Sequence, residues 1–328
     1  MEPVNPTLGD IFEAAKRIRG VALKTPLRYS RALSELTSAS IYLKLEMLQE
    51  TGSFKVRGAT NKINLLSEAE KARGVIAFST GNHGRAVACV AQREKIPAVV
   101  CVSNRVPAYR VEAMRQLGAE VVQHGSSQDA AFEHALQLQK ERGLTMIEPF
   151  DDPDIISGQG TIGLEILDVL PEVNTVIVPL SGGGLIAGIA LAVKTAQPKT
   201  RIIGVSMDVA PAMHASVKAG RPVEIEEKDS LADALLGGIG LENKYTFRIV
   251  NQLVDEIILV SEPEIAAGMQ FALEQEKLVV EGAAAVGISA LIEAKYSVAG
   301  ESVAVVLSGG NADTAQLAHI TADPHDGR

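Results

Sequence analysis

The run Thr51-Gly52-Ser53-Phe54-Lys55-Val56-Arg57-Gly58-Ala59 sets one lysine among small and apolar residues. An ammonium loses solvation in such surroundings, which lowers its pKa and leaves more of it as neutral amine. A neutral amine can attack a carbonyl and hold it as a Schiff base. Lysines are ordinarily solvated at the surface, so Lys55 alone would carry little weight. Three glycine turns that follow apolar runs change this: Ser79-Thr80-Gly81-Asn82-His83-Gly84, Ser181-Gly182-Gly183-Gly184-Leu185 and Ser308-Gly309-Gly310-Asn311. Turns at the carboxyl ends of parallel strands are where α/β sheets place ligands. Glycine permits close backbone approach, and a following helix offers unpaired N–H groups to an anion. The stretch Ser181, Gly182, Gly183, Gly184, Leu185 therefore reads as a phosphate cradle.

Other polar residues extend the candidate site. The Asn82 amide can donate to a phenolate oxygen. Ser79 and Thr80 offer hydroxyls and N–H groups to a substrate carboxylate, although turn chemistry alone would account for them. His83 either anchors its loop through backbone bonds or joins the chemistry. Ser308 could hydrogen-bond a heteroaromatic nitrogen. Glu281 breaks the small, apolar stretch Leu278 to Ala283 and is either a buried polar anchor or part of the site. The other histidines and the two cysteines, Cys89 and Cys101, lack metal-ligand spacing, so no metal site is expected. A competing reading comes from Gly182 to Ala187, which satisfies the loose G-x-G-x-x-G/A fingerprint, with Asp208 ending a later strand. It would make the chain an NAD-dependent oxidoreductase, but leaves Lys55, Asn82 and Ser308 without a role.

These residues must be held by ordered elements. Apolar runs predict strands at 74–78, 98–102, 120–122, 175–180, 202–206 and 302–307, with helices over 109–117, 129–142 and 262–294. Nearly continuous Val/Ile runs suit parallel strands covered on both faces, and the βαβα rhythm argues for an α/β fold. Residues 74–149 form one compact unit, the strands after Thr175 form another, and the turn-rich segment Glu148 to Pro153 suits a crossing between them. The 328 residues carry a net charge of −9 and no basic block, which disfavours nucleic acid and anionic membranes as partners. No secretory signal is visible and no apolar run approaches the ~18 residues of a membrane helix, so a cytoplasmic location is expected.

Together the motifs resemble the fold-type II pyridoxal-phosphate enzymes, in the serine/threonine dehydratase and serine racemase branch. The matching residues are Ser53 to Ala59, Ser79 to Gly84, Gly158-Gln159-Gly160-Thr161, Ser181 to Leu185 and Ser308 to Asn311, and the likeness runs from about Leu8 to Ile320. It implies a two-domain α/β fold like that of tryptophan synthase beta, each domain a largely parallel sheet flanked by helices. Residues 1–73 and 150–328 would form the large cofactor-binding domain and residues 74–149 the small mobile one. It implies pyridoxal 5'-phosphate bound to Lys55 as a Schiff base, with Phe54 beside it and Asn82 on its 3′ oxygen. Ser181 to Leu185 would hold its phosphate and Ser308 would face its ring nitrogen. Ser79, Thr80, Gly81, Asn82 and His83 would hold the substrate. A serine at the ring nitrogen leaves a weaker electron sink, which suits prompt β-elimination. The implied reaction is dehydration and deamination of a β-hydroxy amino acid, threonine or serine dehydratase-like, to a 2-oxo acid and ammonia, with freed Lys55 removing the Cα proton.

Departures narrow this expectation. Ser206 stands where racemase-like members place a metal-binding glutamate, and Thr80 is bulkier than the racemases' proton-donating serine, so serine/threonine racemase is the runner-up. The chain ends soon after the Ser308 turn, so a C-terminal regulatory domain and feedback by isoleucine are not expected. Ser79 to Ala86, Val205-Ser206-Met207 and Leu231 to Leu241 look like the hydroxyectoine-utilization dehydratase subgroup. That likeness suggests amino-acid catabolism and a hydroxylated diaminobutyrate as substrate. The family further implies a homodimer.

Overall fold

A computed structural model gives the structure, which describes residues 4–79 and 81–322. Ten strands are found among them: β1 (Leu27–Tyr29), β2 (Ser40–Leu45), β3 (Val75–Phe78), β4 (Ala98–Val102), β5 (Glu120–Gln123), β6 (Thr145–Met146), β7 (Thr175–Pro179), β8 (Arg201–Met207), β9 (Glu256–Val260) and β10 (Ser302–Leu307). They form two sheets, ordered β1-β2-β10-β7-β8-β9 and β5-β4-β3-β6. All pairings are parallel except β1 with β2. The expected α/β class with parallel sheets flanked by helices holds.

All six predicted strands are present. Of the four that were not predicted, β1, β6 and β9 are sheet edges; β1 and β6, at three and two residues, are too short to show an apolar run, while β9 carries one, Ile257-Ile258-Leu259-Val260. The fourth, β2, carries Lys44 in its core-facing stretch, and Lys44 is 1% exposed. That lysine is held by the Thr25 carbonyl at 2.6 Å and the Glu165 carboxylate at 2.5 Å.

One helix expectation is corrected. The segment 262–294 is not a single helix but two, Glu262–Glu274 and Gly282–Ile292. The break at 275–281 includes Lys277 at φ +59°, a left-handed conformation that ends a helix, and it delivers Glu281 to the ligand end of the sheet.

Three helices in near-backbone contact frame the site. The helix Lys55–Asn64 lies on Pro153–Val169, which in turn lies on Gly184–Ala196. A Cβ on Gly158 would fall 2.6 Å from the Gly58 Cα, and one on Gly188 would fall 2.3 Å from the Ile156 carbonyl oxygen. Only glycine permits such approach without displacement.

A buried ion network locks the first of these helices. The Arg57 guanidinium, 0% exposed, makes two-pronged contacts with Glu46 (2.8 and 2.8 Å) and Glu165 (2.6 and 2.8 Å). Despite burial, these partners hold the Arg57 pKa above its ordinary value. Val56, Ala59 and Ile63 of the same helix pack with Ala86, Val87 and Val90, so the Lys55 helix touches the core beneath the smaller sheet.

Candidate active site

The site lies where the carboxyl ends of β3, β6, β7 and β10 converge on a cavity of about 1260 Å³. Phe54, Lys55, Ser79, Asn82, His83, Ser181, Gly182, Gly183, Gly184, Leu185, Glu281 and Ser308 all line it. Of the other expected site residues, Gly81 does not line it, and Thr80 lies outside the described residues.

Lys55 is placed by its neighbours. The Phe54 N–H donates to the Ser308 carbonyl at 3.0 Å and the Gly310 N–H to the Gly52 carbonyl at 2.9 Å, stitching the start of the lysine helix to the turn after β10. The Lys55 ammonium donates to the Pro149 carbonyl at 2.7 Å and sits 5.3 Å from the centroid of the Phe54 ring. Loss of hydration lowers its pKa to about 8, an effect that nearby Glu281 opposes. A sizeable neutral fraction therefore exists near neutral pH, as a nucleophilic amine requires.

Opposite Lys55 stands the glycine turn. Gly183 has φ +91° and precedes a helix that lacks a side-chain cap, leaving its first N–H groups free to meet an anion. A Cβ on Gly182 would lie 2.4 Å from the Phe150 ring, and one on Gly184 would lie 2.9 Å from the Phe150 backbone. The turn is thus pared to backbone between Phe150 and the cavity.

The Asn82 side chain is oriented at both ends. Its amide nitrogen donates to Glu281 at 2.7 Å, and its oxygen accepts from Asn311 at 2.7 Å. Asn311 in turn accepts from Arg85 at 2.7 Å. Glu281 is 6% exposed. Burial lifts its pKa to about 7, against the pull of the Asn82 hydrogen bond. Of the two roles open to Glu281 in the sequence, the structure supports both: it is buried and it faces the cavity.

His83 is an anchor. Its Nε2–H donates to the Ile147 carbonyl at 2.8 Å, and burial, reinforced by the Lys55 charge, drives its pKa to about 3. It is neutral at ordinary pH and already committed. The Ser79 hydroxyl accepts from the Gly81 N–H at 3.0 Å, closing the turn.

Sequence reasoning took Glu148 to Pro153 as a crossing only, yet Glu148, Pro149 and Phe150 wall the cavity. The available signal was position: clefts form where segments cross between sheets. Among the described residues, no group of three or more His, Cys, Asp or Glu side chains is close enough to share a metal ion.

Comparison with known proteins fits this geometry. Residues 18–309 match the family described as pyridoxal-phosphate dependent enzyme. The chain belongs to that family. It is 52% identical to a Sinorhizobium fredii protein with a threonine dehydratase name, over 94% of this chain and 93% of the relative. It is 46% identical to an L-threonine ammonia-lyase of Thermotoga maritima, over 96% of this chain and 78% of the relative. Among solved structures, maize serine racemase superposes with a TM-score of 0.91 at 33% identity, covering 97% of this chain and 98% of the other. Membership removes the nicotinamide alternative, since Gly182 to Ala187 then belongs to a pyridoxal-phosphate fold. The residues present fit that cofactor: a desolvated lysine, a glycine turn with free N–H groups, and a cavity between them large enough for cofactor and substrate. No described helix is long and apolar enough to cross a membrane.

Proposed function

We propose that the protein is a pyridoxal-phosphate-dependent ammonia-lyase that converts a β-hydroxy amino acid to a 2-oxo acid and ammonia. The observation that carries this is Lys55, poised near pKa 8 across one cavity from the capless helix start at Gly184. The dehydratase and ammonia-lyase names of its relatives support the same reading.

When bound, the cofactor supplies an electron sink that stabilises negative charge at the substrate Cα. The chain's own residues do the rest. Lys55 would hold the cofactor, and its amine, when free, would take the proton from the substrate Cα. N–H groups from Ser181 to Leu185 would hold the phosphate. The Asn82 amide, fixed by Asn311 and Glu281, would donate to the 3′ oxygen. Ser308 would sit at the ring nitrogen without a charge of its own, which would keep the sink weak and favour departure of the β-hydroxyl. Ser79 and Asn82, which line the cavity, would grip the substrate carboxylate, with His83 acting through its loop. Residues 74–149 act as the smaller lobe, whose closure excludes water.

The finer reading is a catabolic lyase of the hydroxyectoine-utilization type, working as a homodimer in the cytoplasm. Its support is the segment Leu231 to Leu241, whose part from Ala234 onward lines the cavity. A second reading, serine or threonine racemisation, draws on the closeness of the fold to maize serine racemase.

One experiment separates these. Purified holoenzyme is offered L-threonine, L-serine and hydroxylated diamino acids, and ammonia, 2-oxo acid and D-isomer are measured together. Ammonia with equimolar 2-oxo acid, abolished in Lys55→Ala along with the visible cofactor band, is expected. D-isomer without ammonia would favour the racemase.

A further inference from the structure

One arginine beside the site, Arg85, has no part in the reaction above, yet it heads a chain of hydrogen bonds that ends at the cavity. The Arg85 Nη1 donates to the Asn311 Oδ1 at 2.7 Å, and the Asn311 Nδ2 donates to the Asn82 Oδ1 at 2.7 Å. The Asn82 Nδ2 then donates to the Glu281 Oε1 at 2.7 Å. The Asn311 Nδ2 also donates to the Thr51 carbonyl at 2.9 Å. Two bare positions keep space for this chain. A Cβ on Gly52, where φ is +75°, would lie 2.4 Å from the Asn311 Oδ1, and one on Gly309 would lie 2.4 Å from the Glu281 Oε1.

The direction of the chain is set at its outer end. A carboxamide carries an acceptor oxygen and a donor NH2 of nearly the same shape, so only its partners decide which way round it sits. A guanidinium only donates and a peptide carbonyl only accepts. Arg85 and the Thr51 carbonyl therefore admit one orientation of Asn311, oxygen to Arg85 and NH2 to Thr51 and Asn82. Asn82 must meet that NH2 with its own oxygen. Its NH2 is thereby turned to Glu281, and its second N–H is left for the cavity that Asn82 lines.

The inner end gives no such guarantee. As a carboxylate Glu281 only accepts, but a protonated carboxyl also donates and would accommodate the Asn82 carboxamide turned round. Burial lifts its pKa to about 7, so both forms occur near neutral pH. The charged groups that act on it are Asp233, which favours the proton, Arg110, which opposes it, and Lys55, which attracts the carboxylate.

We propose that Arg85 is a positioning residue which, acting through Asn311, fixes the Asn82 carboxamide with its NH2 toward the cofactor's 3′ oxygen. That donor then stays in place whichever form Glu281 takes. The inference rests on the proposed contact between Asn82 and the cofactor, not on the identity of the substrate.

The test titrates apoprotein with pyridoxal phosphate at pH 6 and pH 8 and follows the visible band. Asn82→Ala removes the donor and should weaken binding about ten- to hundredfold, the range of a charge-assisted hydrogen bond. Asn311→Asp keeps an oxygen for Arg85 and the shape of the side chain, but offers Asn82 only acceptors. It should turn the Asn82 NH2 away from the 3′ oxygen and weaken binding at least as much as Asn82→Ala. Arg85→Met leaves the orientation to Thr51 alone, and its loss should be smaller, about three- to tenfold. That loss should be greater at pH 6, where Glu281 is mostly protonated, than at pH 8, where the carboxylate itself holds the Asn82 NH2. Arg85→Lys, which also only donates, should recover part of it. Full affinity in Asn311→Asp while Asn82→Ala is weakened overturns the inference and leaves the Asn82 contact standing, as does an Arg85→Met loss that is equal at both pH values. Full affinity in Asn82→Ala overturns the contact and the inference together. Should Asn311→Asp fail to fold, the pH dependence of Arg85→Met decides alone. Ammonia release judges the lyase reading separately, and its absence would leave these binding ratios valid.

Discussion

Replacing Glu281 by glutamine should make the stability of the cofactor-free protein less sensitive to pH, in an amount that follows from the site. Burial raises the Glu281 pKa from 4.5 to about 7 in the folded protein. The folded state therefore holds a proton that the unfolded chain has released. A raised folded pKa means that stability is fully present below about pH 4.5 and is lost as pH climbs toward 7. The full cost is roughly 3 kcal/mol, at 1.36 kcal/mol per pKa unit. Glutamine keeps an acceptor for the Asn82 amide and never ionises. The difference in unfolding free energy, variant minus unaltered protein, should thus rise by about 2–3 kcal/mol in favour of the variant between about pH 5 and pH 8. Urea denaturation at the two pH values measures it, and the subtraction cancels the titrating groups that do not feel the Glu281 charge, Lys55 being one that does. A difference that is flat across that range would refute the claim that burial holds a proton on Glu281.

Two further substitutions probe the frame around the site. Arg57→Met strips the guanidinium from Glu46 and Glu165 and leaves these carboxylates, one buried and one part-buried, to share the single Lys44 ammonium, so thermal or urea unfolding should show a loss of about 3–5 kcal/mol. Gly184→Ala sets a methyl 2.9 Å from the Phe150 backbone; a shift of the phosphate turn should cost about 1–3 kcal/mol in stability and weaken cofactor binding, read by titrating apoprotein with pyridoxal phosphate.

Much of the site was legible because its chemistry sits in short, local patterns. Lys55, the glycine turns, Asn82 and Ser308 each announce themselves by residue type within a few positions. Parallel core strands were equally plain, since burial on both faces demands unbroken Val/Ile runs. What stayed hidden depends on long-range partners. Lys44 looks like a surface residue until Glu165, 121 positions away, satisfies it. The break before Glu281 was invisible because Gln275-Glu276-Lys277-Leu278-Val279-Val280 holds no glycine or proline and is compatible with continued helix. The loop role of His83 required the Ile147 carbonyl, which no pattern around His83 encodes. Glu148 read as part of a connector because nothing local distinguishes a solvated carboxylate from one that lines a cavity.

The stack of three helices has a consequence for how this enzyme can drift. The span from amine to anion cradle is gauged by main chain resting on main chain at Gly58, Gly158, Gly160 and Gly188. Bulky core side chains can be exchanged around that ruler without changing its length. Divergent lineages could therefore remodel the pocket for new substrates while the catalytic spacing stays constant, provided that those few bare positions are never filled.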